Sequence, residues 1–466
     1  MPVKCNTFCY VERKIQIVNI SLLHSKLHAS RQCSKPFAGI MYVYFMKSFL
    51  LCLFISFYVQ LNAQENVDAI YKTNIKTVKF FQENNQESLP VIRLNSNDLL
   101  ELHFDDLDGL PKSYFYSFEL CNADWQTSSL SSFDYVKGYQ QQNIAEYRIS
   151  SVSLQKYVHY TMLFPQANYM PTKSGNYILK VFLDADPDKL VFTKRFFVVE
   201  NKVAVLPQLL QTFDNQKFNT HQKLQFSINT LQLNLFSAQQ QIKVTVLQNY
   251  KWINAVSDVQ PSFIRNNVLE YNGEEDFLFA GTRENRWADL RSFDFQSDRI
   301  AGVDKTKIPY EIFLKPDAPR MGAGYFAMKD LNGWYYVSST EVSNPWWQGG
   351  YANVHFTFVP KDAHAFDGKD VYLIGELTGN TLSDDAKMSW NENENVYEKN
   401  LLLKQGYYSY NYATKNKKSK ENNVDYSLTE GNFWETENDY TILVYYRSIS
   451  GRYDELVAVK AINSHL

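Results

Sequence analysis

Beyond the first 63 residues, apolar and polar positions alternate at short intervals along the chain, the mark of strands with one buried face. Clear cases are Leu100/Leu102/Phe104, Leu224/Phe226/Ile228, Ile242/Val244/Val246 and Tyr408/Tyr410/Tyr412. Denser apolar runs at 191–199 (VFTKRFFVV) and 442–446 (ILVYY) predict central strands covered on both faces. No stretch keeps an apolar 3.6-residue period over three turns, so helices should be few and short. The expected architecture is all-β: three β-sandwich domains, immunoglobulin-like or early-set in type, in series. The first runs over 64–205, ending in a strong strand before Leu206-Pro207. The second spans 206–347, with Gln and Asn early, a charged stretch over 270–299 and turns around Pro316, Pro319, Gly322 and Gly324. The third covers 348–466 and opens on Gln348-Gly349-Gly350, which reads as a flexible joint.

The start of the chain has a different character. Residues 46–63 (MKSFLLCLFISFYVQLNA) give a Met, a Lys, an apolar run over 49–61 and a small residue before Gln64. That pattern predicts a signal peptide, export, and a new N-terminus at Gln64. A polar leader of 45 residues would bury such a signal, so Met46 is the expected true start, with Met41 as a second candidate. The alternative, an anchor helix over 49–61, lacks a basic stop-transfer flank.

Composition sharpens this picture. The 466 residues include 32 Tyr, 32 Phe and 8 Trp, and flat rings favour half-buried pleated surfaces. The leader carries seven basic residues and one acidic residue. Of 47 basic and 50 acidic groups, 40 and 49 therefore remain, a net charge of −9. A mildly acidic exported body argues against nucleic acid as a partner. Four of the five cysteines (Cys5, Cys9, Cys33, Cys52) leave with the leader. Cys121 then has no partner for an intrachain disulfide, and reads as a small buried hydrophobe.

Candidate chemistry is sparse. The six histidines after residue 63 (His103, His159, His221, His355, His364, His465) show no zinc spacing, and His159, between Val158 and Tyr160, reads as a core histidine bonded to a neighbour. Asp105, Asp106 and Asp108 before Gly109 weakly resemble a calcium loop, but position 12 of such a loop would be Tyr116 rather than a bidentate Glu, so a surface turn is expected. No Gly-x-Ser-x-Gly, phosphate-cradling glycine loop or Cys/His pair is present, so no catalytic residue, cofactor or small-molecule substrate is expected. Two groups stand out as partner-binding candidates. Trp346 and Trp347 beside the joint either anchor a partner or seal a junction between domains. Arg283, Arg286 and Arg291, near Asp289 and Asp294, either form a docking face or pair internally.

Two resemblances attach to quoted residues. The stretches VYLIGELTGN (371–380) and MSWNENENVYEKNLLLKQGYYSYNYA (388–413) resemble the early-set sandwich of glycogen-binding modules. Where those modules place an aromatic platform, this chain has Asn380, Thr381 and Leu382. A fold likeness does not bring the sugar site with it. The segment CNADWQTSSLSSFDYVKGYQQQNIAEYRISSVSLQKYVHYTMLFPQANYMPTKSGNYILKVF (121–182) is similar to the N-terminal domain of the type 9 secretion system plug family of Bacteroidota. The likeness lies at Cys121, Ala123, Asp124, Trp125, Tyr135, Gly138, Tyr147, Ser150, Tyr157, His159, Tyr160, Pro165, Ser174, Gly175, Asn176 and Tyr177. Two further stretches, 281–295 (GTRENRWADLRSFDF) and 435–464, resemble the family's middle and C-terminal blocks. The resemblance implies a periplasmic, non-enzymatic protein associated with the outer membrane, whose partner is the large outer-membrane β-barrel translocon of that system. There it would close the periplasmic mouth when no substrate is in transit. A periplasmic carbohydrate-binding or polysaccharide-processing accessory is the alternative, motivated by the third segment.

Overall fold

Alternating segments become strands, and their apolar faces meet in three two-sheet cores. A computed structural model describes residues 67–419 and 423–465; the expected leader and signal peptide lie outside the described residues. The first sandwich sets a four-stranded sheet, ordered Ile75–Gln82, Leu100–Asp106, Val158–Phe164, Glu146–Ile149, against a five-stranded one. The latter runs Val91–Arg93, Leu190–Val199, Gly175–Leu183, Tyr114–Cys121, Gln142–Asn143. Leu100, Leu102 and Phe104 all point into the core between them, as their period of two requires. Aromatic rings fill much of that core: Phe104 stacks on Tyr160 and Phe164 meets Phe196 edge-on, each pair at 5.0 Å.

The second sandwich is discontinuous in sequence. One sheet comes from Ala204–Leu210, His221–Asn229, Val268–Tyr271 and Phe263–Arg265, with Leu278–Ala280 also on 221–229. The facing sheet joins Val256–Ser257 and Ile242–Gln248 to the C-terminal hairpin Asp439–Tyr446 and Glu455–Asn463. Between the two halves the chain builds the third sandwich. Gly406–Asn416 is its central strand and pairs with Arg286–Asp289, Tyr335–Val337 and Lys369–Ile374; the other sheet is Ile300–Asp304, Tyr310–Leu314, Tyr351–Phe358, Val396–Lys404 and Ser389–Asn391. Hydrogen-bonded pairing therefore crosses the 347/348 division read from the sequence, at 242–248 with 439–446 and at 286–289 and 335–337 with 406–416. Strand partners are chosen by matching buried faces, which local patterning does not encode.

The doubly apolar runs acquire a specific meaning. Phe196 and Val198 face the first core, while Phe197 and Val199 face away from it; Ile442, Val444 and Tyr446 face the second core, while Leu443 and Tyr445 face away. The two outward rows meet each other, with Cys121, Trp125, Ile178, Leu247 and Leu456, in a separate apolar cluster that joins the first two sandwiches. Helices are brief: four residues each at Ser132–Tyr135, Ala238–Gln241 and Pro345–Gln348 among the described residues. No described helix is long and apolar enough to cross a membrane.

Candidate functional site

The structure concentrates its unusual chemistry in the seams between sandwiches. In strand Leu100–Asp106, turning Leu102 and Phe104 inward necessarily turns His103 and Asp105 outward. Both nevertheless are buried, because the third sandwich covers that face. Asp105 accepts hydrogen bonds from His159 Nδ1 at 2.7 Å, Tyr351 Oη at 2.5 Å and Lys404 Nζ at 2.5 Å. His159 Nε2 lies 3.1 Å from His103 Nδ1, and the His103 ring is covered by the Trp346 indole, stacked at 3.9 Å. Lys404 also donates to the Trp346 carbonyl at 2.5 Å and sits 4.0 Å from the centre of the Tyr157 ring. A second buried cation, Lys79, donates to Glu376 Oε2 at 2.6 Å and to the Tyr335 carbonyl at 2.8 Å. Nearby, Gln86 both donates to the Val337 carbonyl and accepts from the Val337 N–H, imitating a strand neighbour for that edge.

Burial governs the protonation of this seam. Desolvation pushes His159 down to about 4 against the pull of Asp105, so the ring is neutral near pH 7. Burial likewise pulls the Lys404 ammonium down to about 8, opposed by Asp105. For Asp105, burial works to raise the carboxyl, but Lys404 and His159 outweigh it and hold it below the usual range. The chain Asp105–His159–His103 superficially resembles a catalytic relay. Its far end, however, reaches Glu101 at 3.3 Å beneath an indole, and Asp105 is already saturated by Lys404 and Tyr351. It is built to hold two domains together.

The remaining candidates divide in the same way. Trp346 takes the junction-sealing alternative; the Asn344 side chain caps its short helix by accepting from the Trp346 N–H at 3.0 Å. Trp347 is half-buried, and its carbonyl accepts from the Ser151 N–H at 3.3 Å. The expected flexible joint is pinned, since Gly349 is buried and its carbonyl accepts from Tyr157 Oη at 2.8 Å. Arg286 is buried, bidentate to Glu430 at 2.9 and 3.0 Å and bonded to Asp317 at 2.8 Å. Arg299 and Arg320 join the same network, from which Tyr410 and Tyr412 both donate to Asp317. Burial works to raise Glu430, yet Arg286 and Arg320 win and lower it. Arg283 is buried too, its guanidinium donating to the carbonyls of Arg320 and Gly324. Arg291 alone of the three keeps a partly open side chain, 38% exposed and paired to Asp289 at 2.6 Å. A planar guanidinium satisfied by fixed carbonyls and carboxylates is held inside, so Arg283 and Arg286 pair internally rather than forming a docking face.

Asp105 and Asp106 correct the expectation of a surface turn. They end a buried strand, and Asp106 accepts from Tyr114 Oη at 2.9 Å and pairs with Lys112 at 2.8 Å. No described group of three or more His, Cys, Asp or Glu is arranged to hold a metal ion. In the third sandwich, Trp390 packs edge-on against Tyr397 at 4.9 Å, and Leu382 packs against a small core around Tyr372 and Tyr426.

Comparison with known proteins falls on these same elements. Residues 75–200, the span of the first sandwich from its first strand to its last, match the type 9 secretion system plug protein 1st domain. A crystal structure of a hypothetical protein from Parabacteroides merdae ATCC 43184 superimposes with a TM-score of 0.81 at 30% identity, covering 85% of this chain and 99% of that one. The chain belongs to the type 9 secretion system plug family. The likeness to the Parabacteroides protein takes in 85% of this chain and so reaches well beyond the 75–200 span of the family match. A further solved structure, trypsin-activated alpha-2-macroglobulin from Escherichia coli, aligns at 11% identity over 83% of this chain and 28% of that one, with a TM-score of only 0.16. No curated protein matches significantly. Several positions that carry the plug-family resemblance are seam residues: Cys121, Ala123, Trp125 and Asn176 toward the second sandwich, Tyr157 and His159 toward the third.

Proposed function

We propose that this chain is a periplasmic, non-enzymatic plug subunit that docks on the type 9 secretion system outer-membrane translocon barrel and closes its periplasmic mouth when no substrate is in transit. The observation that carries this reading is the match of residues 75–200 to the plug protein's first domain. Physical suitability supports it. A wide barrel is an open hole unless something fills it, and a stopper must keep its shape under load. Here the first sandwich is fixed to the third by the buried Asp105–Lys404 pair and the His103–Trp346 stack, and to the second by the apolar cluster around Trp125 and Leu443, rather than by flexible linkers. The Asp105 cluster between the first and third sandwiches is satisfied by internal partners, which fits a part whose task is steric.

The test is made in the native organism. Deleting the gene should make the outer membrane leaky to large solutes, and the tagged protein should retain an outer-membrane β-barrel on pull-down. An unchanged permeability barrier together with a pull-down free of any barrel protein would overturn the reading.

A further inference from the structure

One cleft of about 580 Å³ lies where all three sandwiches meet. Glu87 reaches it from the first, Glu437 and Asp439 from the second, and Glu284, Asp330 and Trp334 from the third and the segment leading into it. Among the described residues none of these five carboxylates makes an ion pair. Glu437 and Asp439 stand side by side, bridged only by the neutral amides of Asn332 and Asn463. Asp330 accepts from the Asn285 and Asn332 N–H groups, and the cations near it are Lys329, on the cleft wall, and the buried Lys251. Like charge crowded together raises the energy of the ionised state. Asp330 and Glu437 are accordingly both shifted upward, by burial first and then by their acidic neighbours.

A separate observation points to an occupant. Glu284 is only 2% exposed; its Oε1 accepts from Tyr325, but Oε2 is buried without a hydrogen-bond partner. A buried carboxylate oxygen left unpaired is costly, and native structures normally satisfy it. The wall beside it also offers the apolar side chains of Met328 and Leu331, whereas the Trp334 indole is itself stacked on Tyr250 at 5.4 Å with the Lys79 ammonium 5.5 Å from its centre.

We propose that this cleft binds an arginine side chain presented by an extended segment of a partner protein. Its guanidinium would lie between the Glu437/Asp439 pair and Glu284, with its methylene stem along Met328 and Leu331. A planar, weakly hydrated cation with five donors suits carboxylates spread over several walls. A compact divalent ion suits the site less well, because it needs a convergent oxygen cage and no described group of three or more acidic or histidine ligands converges. The occupant would touch all three sandwiches at once. This inference stands on the cleft alone, independently of barrel docking.

The test is calorimetric titration of the purified chain from Gln64 onward with a capped glycine–serine pentapeptide carrying one central arginine. The same peptide with citrulline, which keeps the shape but loses the charge, serves as the control. The expected result is saturable binding that weakens with salt and falls by roughly tenfold or more with citrulline, and equally with the Glu437→Gln or Glu284→Gln variant, as loss of a charge-assisted hydrogen bond implies. Thermal melting of each variant separates lost binding from lost folding; E437Q should melt no lower than the parent, since it removes repulsion. Equal affinity for the two peptides, or no saturable binding of either, would each overturn the proposal.

Discussion

A single carboxylate shows what holds the seams. Asp105 sits between Lys404, His159 and Tyr351 with no exposure, so removing its charge strands an ammonium in an apolar surrounding. Asp105→Asn should destabilise the chain by about 3–5 kcal/mol, the usual penalty for breaking a buried pair, while the double change with Lys404→Met should recover much of that loss. Urea unfolding of the single and double variants measures both, and a single variant within about 1 kcal/mol of the parent contradicts the assignment. His159 yields a second expectation. Its folded value of about 4 lies below the unfolded value of 6.5, so between them the unfolded chain binds the proton and the folded chain does not. Stability from this residue is therefore complete above about pH 6.5 and lost as pH falls toward 4, by about 2 kcal/mol at pH 5. The slope between pH 7 and pH 5 should shrink by that amount in His159→Gln; identical slopes refute it. Little of this was legible beforehand. The pattern placed His159 in a bonded core position, but Asp105 and Lys404 are ordinary charges at the ends of strands until another domain covers them.

Strands themselves were legible, because a period of two survives in the sequence whatever the strand pairs with. The same local rule explains the runs at 191–199 and 442–446, apolar on both faces because one face lines a core and the other a seam. Their outer rows were the available sign of domain contact, and they identified covered strands without naming the cover. A tighter constraint falls on Gly138, which pairs with Tyr169 at the end of a two-stranded ribbon. Its φ is +101°, and a Cβ there would stand 1.7 Å from the Asn168 carbonyl oxygen. Gly138→Ala should therefore cost roughly 2–4 kcal/mol, from backbone strain and forced separation of the ribbon. Hydrogen exchange should show the loss first at 136–138 and 169–171. A variant with unaltered protection there would mean that the ribbon is free to slip.

At the scale of the whole molecule, chain order and domain order part company, and that difference can be tested by cutting. The reading from sequence ends the second domain at 347, yet strand Ile242–Gln248 takes its main neighbour from Asp439–Tyr446, and the second core counts Tyr440, Ile442 and Val444 among its members. A chain stopped at 347 lacks that whole strand and should expose an unfilled half-core, giving aggregated or molten material rather than two folded domains. The insertion, by contrast, leaves and re-enters the second sandwich at one place. The Phe433 N–H bonds to the Thr282 carbonyl at 3.0 Å, and Asn432 Oδ1 accepts from the Thr282 N–H at 3.2 Å. Because the two ends are already neighbours, replacing 284–430 with a short glycine–serine linker closes only a small loop, whose entropic cost grows slowly with length. The excised chain should unfold cooperatively, retain the apolar seam around Cys121, Trp125, Leu443 and Tyr445, and be weakened mainly where Asp105 and His103 lose their cover. Circular dichroism with urea titration of the two shortened chains decides between the serial and the inserted arrangement. If the chain ending at 347 folds and the excised one does not, the pairing of 242–248 with 439–446 is not what holds the second sandwich together.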